Sequence, residues 1–176
     1  MTESAKSKIL LLIIALLLAI IGALIYKFII AGAAEKAEDG RMAIVLAPSE
    51  RAFLMKEMRD FVAGVQRIAD ALSRDDMDGV AKAARGMGKG MTHEVPAPLM
   101  AKLPLEFKTL GFSVHGDFDQ IALDAADMKL PKHTLGQVAG VLQKCVACHN
   151  AYQVRIEAGT AKQAGPGARQ DRRTGT

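Results

Sequence analysis

The sequence has 176 residues, 50% of them hydrophobic and 24% charged, and a formal net charge of +4 at pH 7. That length allows one domain with short appendages. Acidic and basic side chains nearly balance over residues 35–158, so the positive excess lies at the two ends of the chain. Because no basic patch with interleaved aromatic residues occurs, binding of nucleic acid is not expected.

The first predicted element is an apolar segment that carries no charged residue over residues 9–26. About 20 apolar residues are enough to cross a bilayer as a helix, so we predict a cytoplasmic N-terminus and a transmembrane helix within residues 1–32. Lysines precede the segment and acidic residues follow it, which indicates that the rest of the chain is exported. A cleaved signal peptide is the alternative, because residues 31–33 resemble a cleavage site. The apolar region of such peptides is only about 7–15 residues long, and we favour a retained anchor.

Residues 33–48 are interpreted as a polar linker followed by an apolar lead-in at residues 41–46. No stretch alternates apolar and polar residues with a period of two, so no strand is predicted. Ser49 is the expected N-cap of the next helix, and Glu50 suits the positive end of the helix dipole. This helix, predicted to end near Ser73, carries an apolar stripe at spacings of four and three, formed by Leu54, Met58, Phe61, Val65, Ile68 and Leu72.

Three more helices are predicted after this one. The second begins near Asp76, the third follows Pro104 and ends at Asp127, and the fourth begins between Pro131 and Thr134. The apolar stripe of the fourth helix consists of Leu135, Val138, Leu142, Cys145, His149 and Tyr152. The expected fold class is therefore all-α, an up-down-up-down four-helix bundle over residues 49–158 behind the N-terminal transmembrane helix. Residues 159–176 are rich in Gly, Ala and Arg and are predicted to be a disordered tail.

The fourth helix ends on the run Cys145-Val146-Ala147-Cys148-His149, which has the C-x-x-C-H pattern of a c-type haem attachment site. The chemistry requires this spacing, because two thiols join one porphyrin and the adjacent imidazole binds its iron. These are the only two cysteines of the chain, and a disulfide across two intervening residues would close too small a loop to stabilise much. One covalent haem c accounts for both thiols.

Zinc is the competing interpretation of the motif, since two cysteines and a histidine are common zinc ligands. A tetrahedral site needs a fourth ligand, and His93, His115 and His133 have no finger-like spacing from the cysteine pair. We therefore favour haem. The same three histidines are alternative ligands of its iron, but each lies near Pro or Gly in a predicted loop or helix end, so none is preferred.

With Cys145, Cys148 and His149 near the end of the last of four helices, the chain resembles the cytochrome c′ family and its low-spin relatives over roughly residues 48–157. The resemblance implies two functional types. In high-spin members an apolar residue of the first helix covers the distal face, and the five-coordinate iron binds nitric oxide or carbon monoxide. In low-spin members a methionine of that helix is the sixth ligand, which suits electron transfer. Related proteins are often dimers through their first two helices, so a homodimer is one alternative here.

Two methionines of the first helix are candidates for the sixth ligand. Met58 lies on the apolar stripe, whereas Met55 lies on its flank, so Met58 is preferred. The family pattern of an Arg four residues before the distal side chain matches Arg51 and Met55, and Met55 is the runner-up. The alternative for both is core packing, because Met fills irregular gaps well. Arg51 and Arg59 could pair with a haem propionate.

The expected function is that of a c-type cytochrome of the bacterial inner membrane, with its haem domain in the periplasm. It would carry single electrons between redox partner proteins through a haem ligated by His149 and Met58. The alternative is a five-coordinate cytochrome c′-like protein that binds nitric oxide or carbon monoxide. No enzyme activity is expected, because the sequence has no distal His with an Arg at helical spacing and no recognisable pair of catalytic carboxylates.

Overall fold

The computed structural model describes residues 3–157, with side chains described from residue 6 onward. The predicted tail at residues 159–176 lies outside the described residues. The helices are α1 (Glu3–Ile25), α2 (Pro48–Leu72), α3 (Met77–Arg85), α4 (Ala97–Lys102), α5 (Leu105–Asp127) and α6 (Pro131–Ala151). A π-helical segment, Tyr26–Ala31, continues α1, and a 3-10 segment, Lys89–Glu94, follows α3. The strands are β1 (Ala34–Lys36), β2 (Met42–Leu46) and β3 (Tyr152–Ile156).

Helix α1 and its π-helical continuation form the predicted apolar segment. Lys6–Ala31 spans 26 residues, and its most apolar 18-residue stretch has a mean hydropathy of 3.2 and is not buried against the rest of the chain. A helix of about 20 residues covers the hydrocarbon thickness of a bilayer. The segment is therefore long and apolar enough to cross a membrane.

A three-stranded sheet replaces the predicted linker and apolar lead-in at residues 33–48. Strand β1 pairs antiparallel with β2, and β2 pairs parallel with β3, which directly follows α6. The expectation of a purely helical body is therefore wrong, although helix predominates. The reason is visible in β2, where Ala43, Ile44 and Leu46 are all fully buried. A strand buried on both faces does not alternate apolar and polar residues, so it lacks the period that identifies a strand in the sequence.

Helix α2 runs over the predicted residues, but its N-cap is Ala47 and not Ser49. Pro48 occupies the first turn, where its missing N–H costs no helical hydrogen bond. The carboxylate of Glu50 accepts a hydrogen bond from the backbone N–H of Ala47 at 2.8 Å. Asp76 caps α3 by accepting from the backbone N–H of Gly79 at 2.8 Å, as the sequence predicts for a helix beginning at this point.

The body contains two apolar cores. The larger core lies among α2, α3, α5 and α6 and includes Ile68, Val80, Met87, Phe118, Ile121 and Val141. The smaller core joins the sheet to α2 and α4 and includes Ile44, Leu46, Leu54, Leu99 and Leu103. The sheet therefore fixes the lead-in to the start of α2 and to the end of α6.

Helix α6 packs on a face different from the predicted one. Its buried residues are Thr134, Val138 and Val141, whereas Leu135 and Leu142 are 60% and 44% exposed. Residues 135, 142 and 149 are spaced by seven and share a face, and His149 is exposed like the two leucines. The prediction that His149 lies on a buried stripe is wrong. Tyr152, also assigned to that stripe, begins β3 instead.

Candidate functional site

A cavity of about 370 Å³ lies among α2, α5 and α6. Its volume falls in the range of roughly 300–1,000 Å³ that is usual for small-molecule and cofactor sites. Most of its wall is apolar. Met58, Phe61 and Val65 come from α2, Phe107, Leu110 and Val114 from α5, and Leu142 from α6.

The α6 wall of the cavity carries the three residues of the sequence motif. Cys145, Cys148 and His149 all line it, because spacings of three and four place residues on one side of a helix. Both cysteines are free thiols and half-buried. Burial raises the pKa of the Cys145 thiol, and burial together with the neighbouring Cys145 raises the pKa of Cys148. Both sulfurs are consequently protonated at neutral pH in the folded polypeptide.

The α2 wall places Met58 in the same cavity, together with the exposed Val62 at its mouth. Met55 does not line this cavity. It lies in a neighbouring depression of about 670 Å³ on the outer face of α2, where Arg51 and Arg59 are found. Because Met58 and Val62 border both spaces, the two adjoin.

The α5 wall is connected to the sheet through an aromatic pair. The rings of Phe107 and Tyr152 meet edge to face, with centroids 5.3 Å apart and an interplanar angle of 89°. The Tyr152 hydroxyl donates to the carboxylate of Glu106 at 3.4 Å. An edge-to-face pair adds stabilisation beyond area burial, so β3 braces the wall of the cavity from the end of α6.

One contact of the motif was not visible in the sequence. The guanidinium of Arg41, just before β2, donates a hydrogen bond to the carbonyl oxygen of His149 at 3.3 Å. Arg41 also forms an ion pair with Asp39 at 2.7 Å. These two residues therefore tie the last turn of α6 to the sheet, and no local pattern relates them to a motif 108 residues away.

The other histidines lie outside the cavity. The Nδ1 of His115 donates to the carbonyl oxygen of Met87 at 2.8 Å, with its ring against Phe61. His133 pairs with Asp124 at 3.2 Å, and His93 lies in the exposed 3-10 segment.

A zinc site receives no support from the donor groups. Among residues 3–157, no group of three or more His, Cys, Asp or Glu side chains is arranged to hold a metal ion. The sulfur and nitrogen groups that line the cavity are two thiols, one imidazole and one thioether, from Cys145, Cys148, His149 and Met58. Comparison with family models, with curated proteins and with solved structures finds no match for this chain. Its function has to be inferred from the cavity itself.

Proposed function

We propose that this chain is a membrane-anchored c-type cytochrome that transfers single electrons. The observation that carries the proposal is the convergence of Cys145, Cys148, His149 and Met58 on one apolar cavity. The first three belong to one motif and the fourth to an apolar stripe on a distant helix, so their meeting is not a consequence of the sequence spacing. A c-type haem held here would supply a one-electron iron couple.

Each of the four side chains has a distinct role in this proposal. The thiols of Cys145 and Cys148 form the thioether bonds, and the imidazole of His149 is the proximal ligand. The carbonyl of His149 is held by Arg41, which restrains the helix end that presents the imidazole. Met58 offers its sulfur from α2 as the sixth ligand, and a His/Met pair raises the reduction potential.

The apolar walls of the cavity contribute to the same chemistry. Phe61, Val65 and Leu110 give the cavity an apolar wall, and the hydrophobic surroundings of a site influence the potential of a bound iron. The outer depression brings Arg51 and Arg59 beside the mouth of the cavity. Their guanidinium groups are suited to pair with the carboxylates of a porphyrin.

The wider setting belongs to the proposal as well. In this proposal α2, α3, α5 and α6 would be the haem-binding helices, with α4 and the sheet as additions. We place α1 in a bacterial inner membrane and the body in the periplasm, where redox partner proteins would exchange electrons with it.

A purified full-length chain, expressed with periplasmic haem attachment, tests the proposal. Its mass should exceed the sequence mass by one haem, and its oxidised and reduced spectra should be those of a low-spin cytochrome that does not bind carbon monoxide. The C145S/C148S variant is the control and should carry no covalent haem. A colourless protein of unmodified mass with two titratable thiols would disprove the proposal, whereas ready binding of carbon monoxide would establish the five-coordinate alternative.

A further inference from the structure

The body is joined to α1 without a free linker. The backbone N–H of Ala33 donates to the carbonyl oxygen of Lys102 at 2.7 Å. Gly32 has a φ of +62°, and a Cβ at this position would lie 2.8 Å from the carbonyl carbon of Leu103 and would meet the Lys102 oxygen still more closely. The turn between α4 and α5 is therefore packed directly against the end of the apolar helix.

Helix α5 begins at this same junction. The ammonium group of Lys108 donates a hydrogen bond to the carbonyl oxygen of Ile29, at 3.0 Å, near the end of the apolar segment. Leu105, Lys108 and Phe112 are spaced by three and four residues and share one side of α5. We call this side the 105–112 face. Its two apolar side chains are exposed, Leu105 by 43% and Phe112 by 42%.

The level of this face relative to a bilayer follows from α1. Ile29 and Ile30 are exposed apolar residues of the segment long enough to cross a membrane. Lys27 donates to the carbonyl oxygen of Gly32 at 3.3 Å, so its ammonium points toward the end of the segment. Lysines near the ends of membrane helices extend in this way to the headgroup region. Lys108, bound at the carbonyl oxygen of Ile29, lies near the same end of the segment.

We propose that the 105–112 face rests on the surface of the lipid bilayer beside α1, with Leu105 and Phe112 in the interfacial region and Lys108 at the headgroups. The inference rests on the proposed anchoring of α1. It goes beyond anchoring because it gives the body one fixed side toward the membrane. Helix α5 is 23 residues long, and α6 begins beyond its other end, away from the junction with α1.

The absence of tryptophan from the sequence allows a direct test with single-tryptophan reporters. The variants are L105W and F112W on the proposed face and F28W in the apolar segment. The matched control is L135W, at a site 60% exposed near the start of α6. Each haem-loaded full-length variant is placed in nanodiscs of phosphatidylcholine and phosphatidylglycerol, with either ordinary or brominated acyl chains. Quenching by haem is the same in both lipids, so it cancels in the ratio of the two emission intensities.

Brominated chains should quench L105W and F112W as they quench F28W, and should leave L135W unchanged. If only F28W is quenched, the anchor is in the membrane and the lipid contact is disproved. If F28W is not quenched, the anchoring fails and the lipid contact fails with it. Blue-shifted emission at positions 105 and 112 without bromine quenching would show that a second copy covers the face. Equal quenching of L135W would show that no side of the body is preferred. Either result overturns the inference.

Discussion

Met58 on α2 and His149 on α6 line one cavity, whereas Met55, three residues before Met58, lines the neighbouring depression. The two methionines are thereby separated by their surroundings, although both lie on the same helix and both are half-buried. Only Met58 shares a cavity with the motif histidine. Two single variants, one at each methionine, can therefore distinguish the two candidates for the sixth ligand.

We expect M58L to lose the far-red absorption band that marks methionine sulfur on oxidised iron, and to bind carbon monoxide when reduced. Leu has nearly the volume of Met, so this change costs less than about 1.5 kcal/mol of stability and removes the sulfur selectively. The matched control is M55L, which should keep the wild-type spectrum. Loss of the band in M55L with its retention in M58L would assign the ligand to Met55.

The junction between α1 and the body should be sensitive to a side chain at Gly32. We expect G32A to destabilise the body by about 1–3 kcal/mol, because the residue has a left-handed backbone and its Cβ would collide with the backbone of Lys102 and Leu103. The control G40A shares the positive φ, but no atom lies within 4 Å of its added Cβ. Faster hydrogen exchange of β1 in G32A than in G40A would isolate the collision, and equal exchange would contradict it.

Replacing two helical glycines by alanine should change the stability of the protein in opposite directions. Gly140 on α6 has no atom within 4 Å of an added Cβ, so G140A should raise the free energy of unfolding by about 0.5–1 kcal/mol through helix propensity. Gly64 on α2 lies against the buried side chain of Met87. G64A should therefore lower the free energy of unfolding by about 1–3 kcal/mol through overpacking. Urea unfolding of both variants measures the difference. A stabilising G64A would mean that Met87, which follows α3, does not pack as closely against α2 as described.

Asp124 should make stability depend on pH. Its carboxylate accepts hydrogen bonds from His133 at 3.2 Å, from Gln120 at 2.7 Å and from Gln137 at 2.6 Å. The bond from His133 is the largest cause that holds the pKa of Asp124 below its usual value, and burial opposes it. A depressed pKa stabilises the fold above the unfolded value, and this stability is lost as the pH falls through the folded value.

The variant D124N should therefore have a lower Tm than wild type at neutral pH, and the difference should vanish as the pH falls below about 4. Circular dichroism melts at several pH values measure it. The control D117N removes the ion pair between Asp117 and Lys144, whose two side chains are each more than one-third exposed. Its Tm should fall less at neutral pH than that of D124N, because such surface pairs contribute little to stability. A difference for D124N that grows on acidification would contradict the assignment.

The elements that follow from local sequence could be predicted, and those fixed by distant partners could not. The range of α2, the start of α3 near Asp76 and the start of α6 between Pro131 and Thr134 follow from patterns within a few residues. Strand β3 depends on pairing with β2, which lies far before it in the sequence. Local patterns around Tyr152 therefore predict a continuation of α6 instead of a strand.

At the candidate site, the sequence predicts the motif but not the face of α6 that is buried. The motif could be read from five residues, but the face of α6 could not. Both Leu135 with Leu142 and Val138 with Val141 form apolar rows, and only the second row is buried. A helix that borders an apolar cavity needs one apolar face for its neighbours and another for the cavity. Hydrophobic periodicity does not distinguish these two faces, so the predicted stripe mixed them.

The parallel pairing of β2 with β3 also sets the timing of assembly. Arg41 and His149 are 108 residues apart, and contacts of such long separation form late because the intervening chain must first be ordered. In a polypeptide exported from its N-terminus, both motif cysteines emerge before the last strand can close the sheet. Their sulfurs are therefore accessible while the final strand is still unpaired, which is the stage at which the proposed haem attachment would take place.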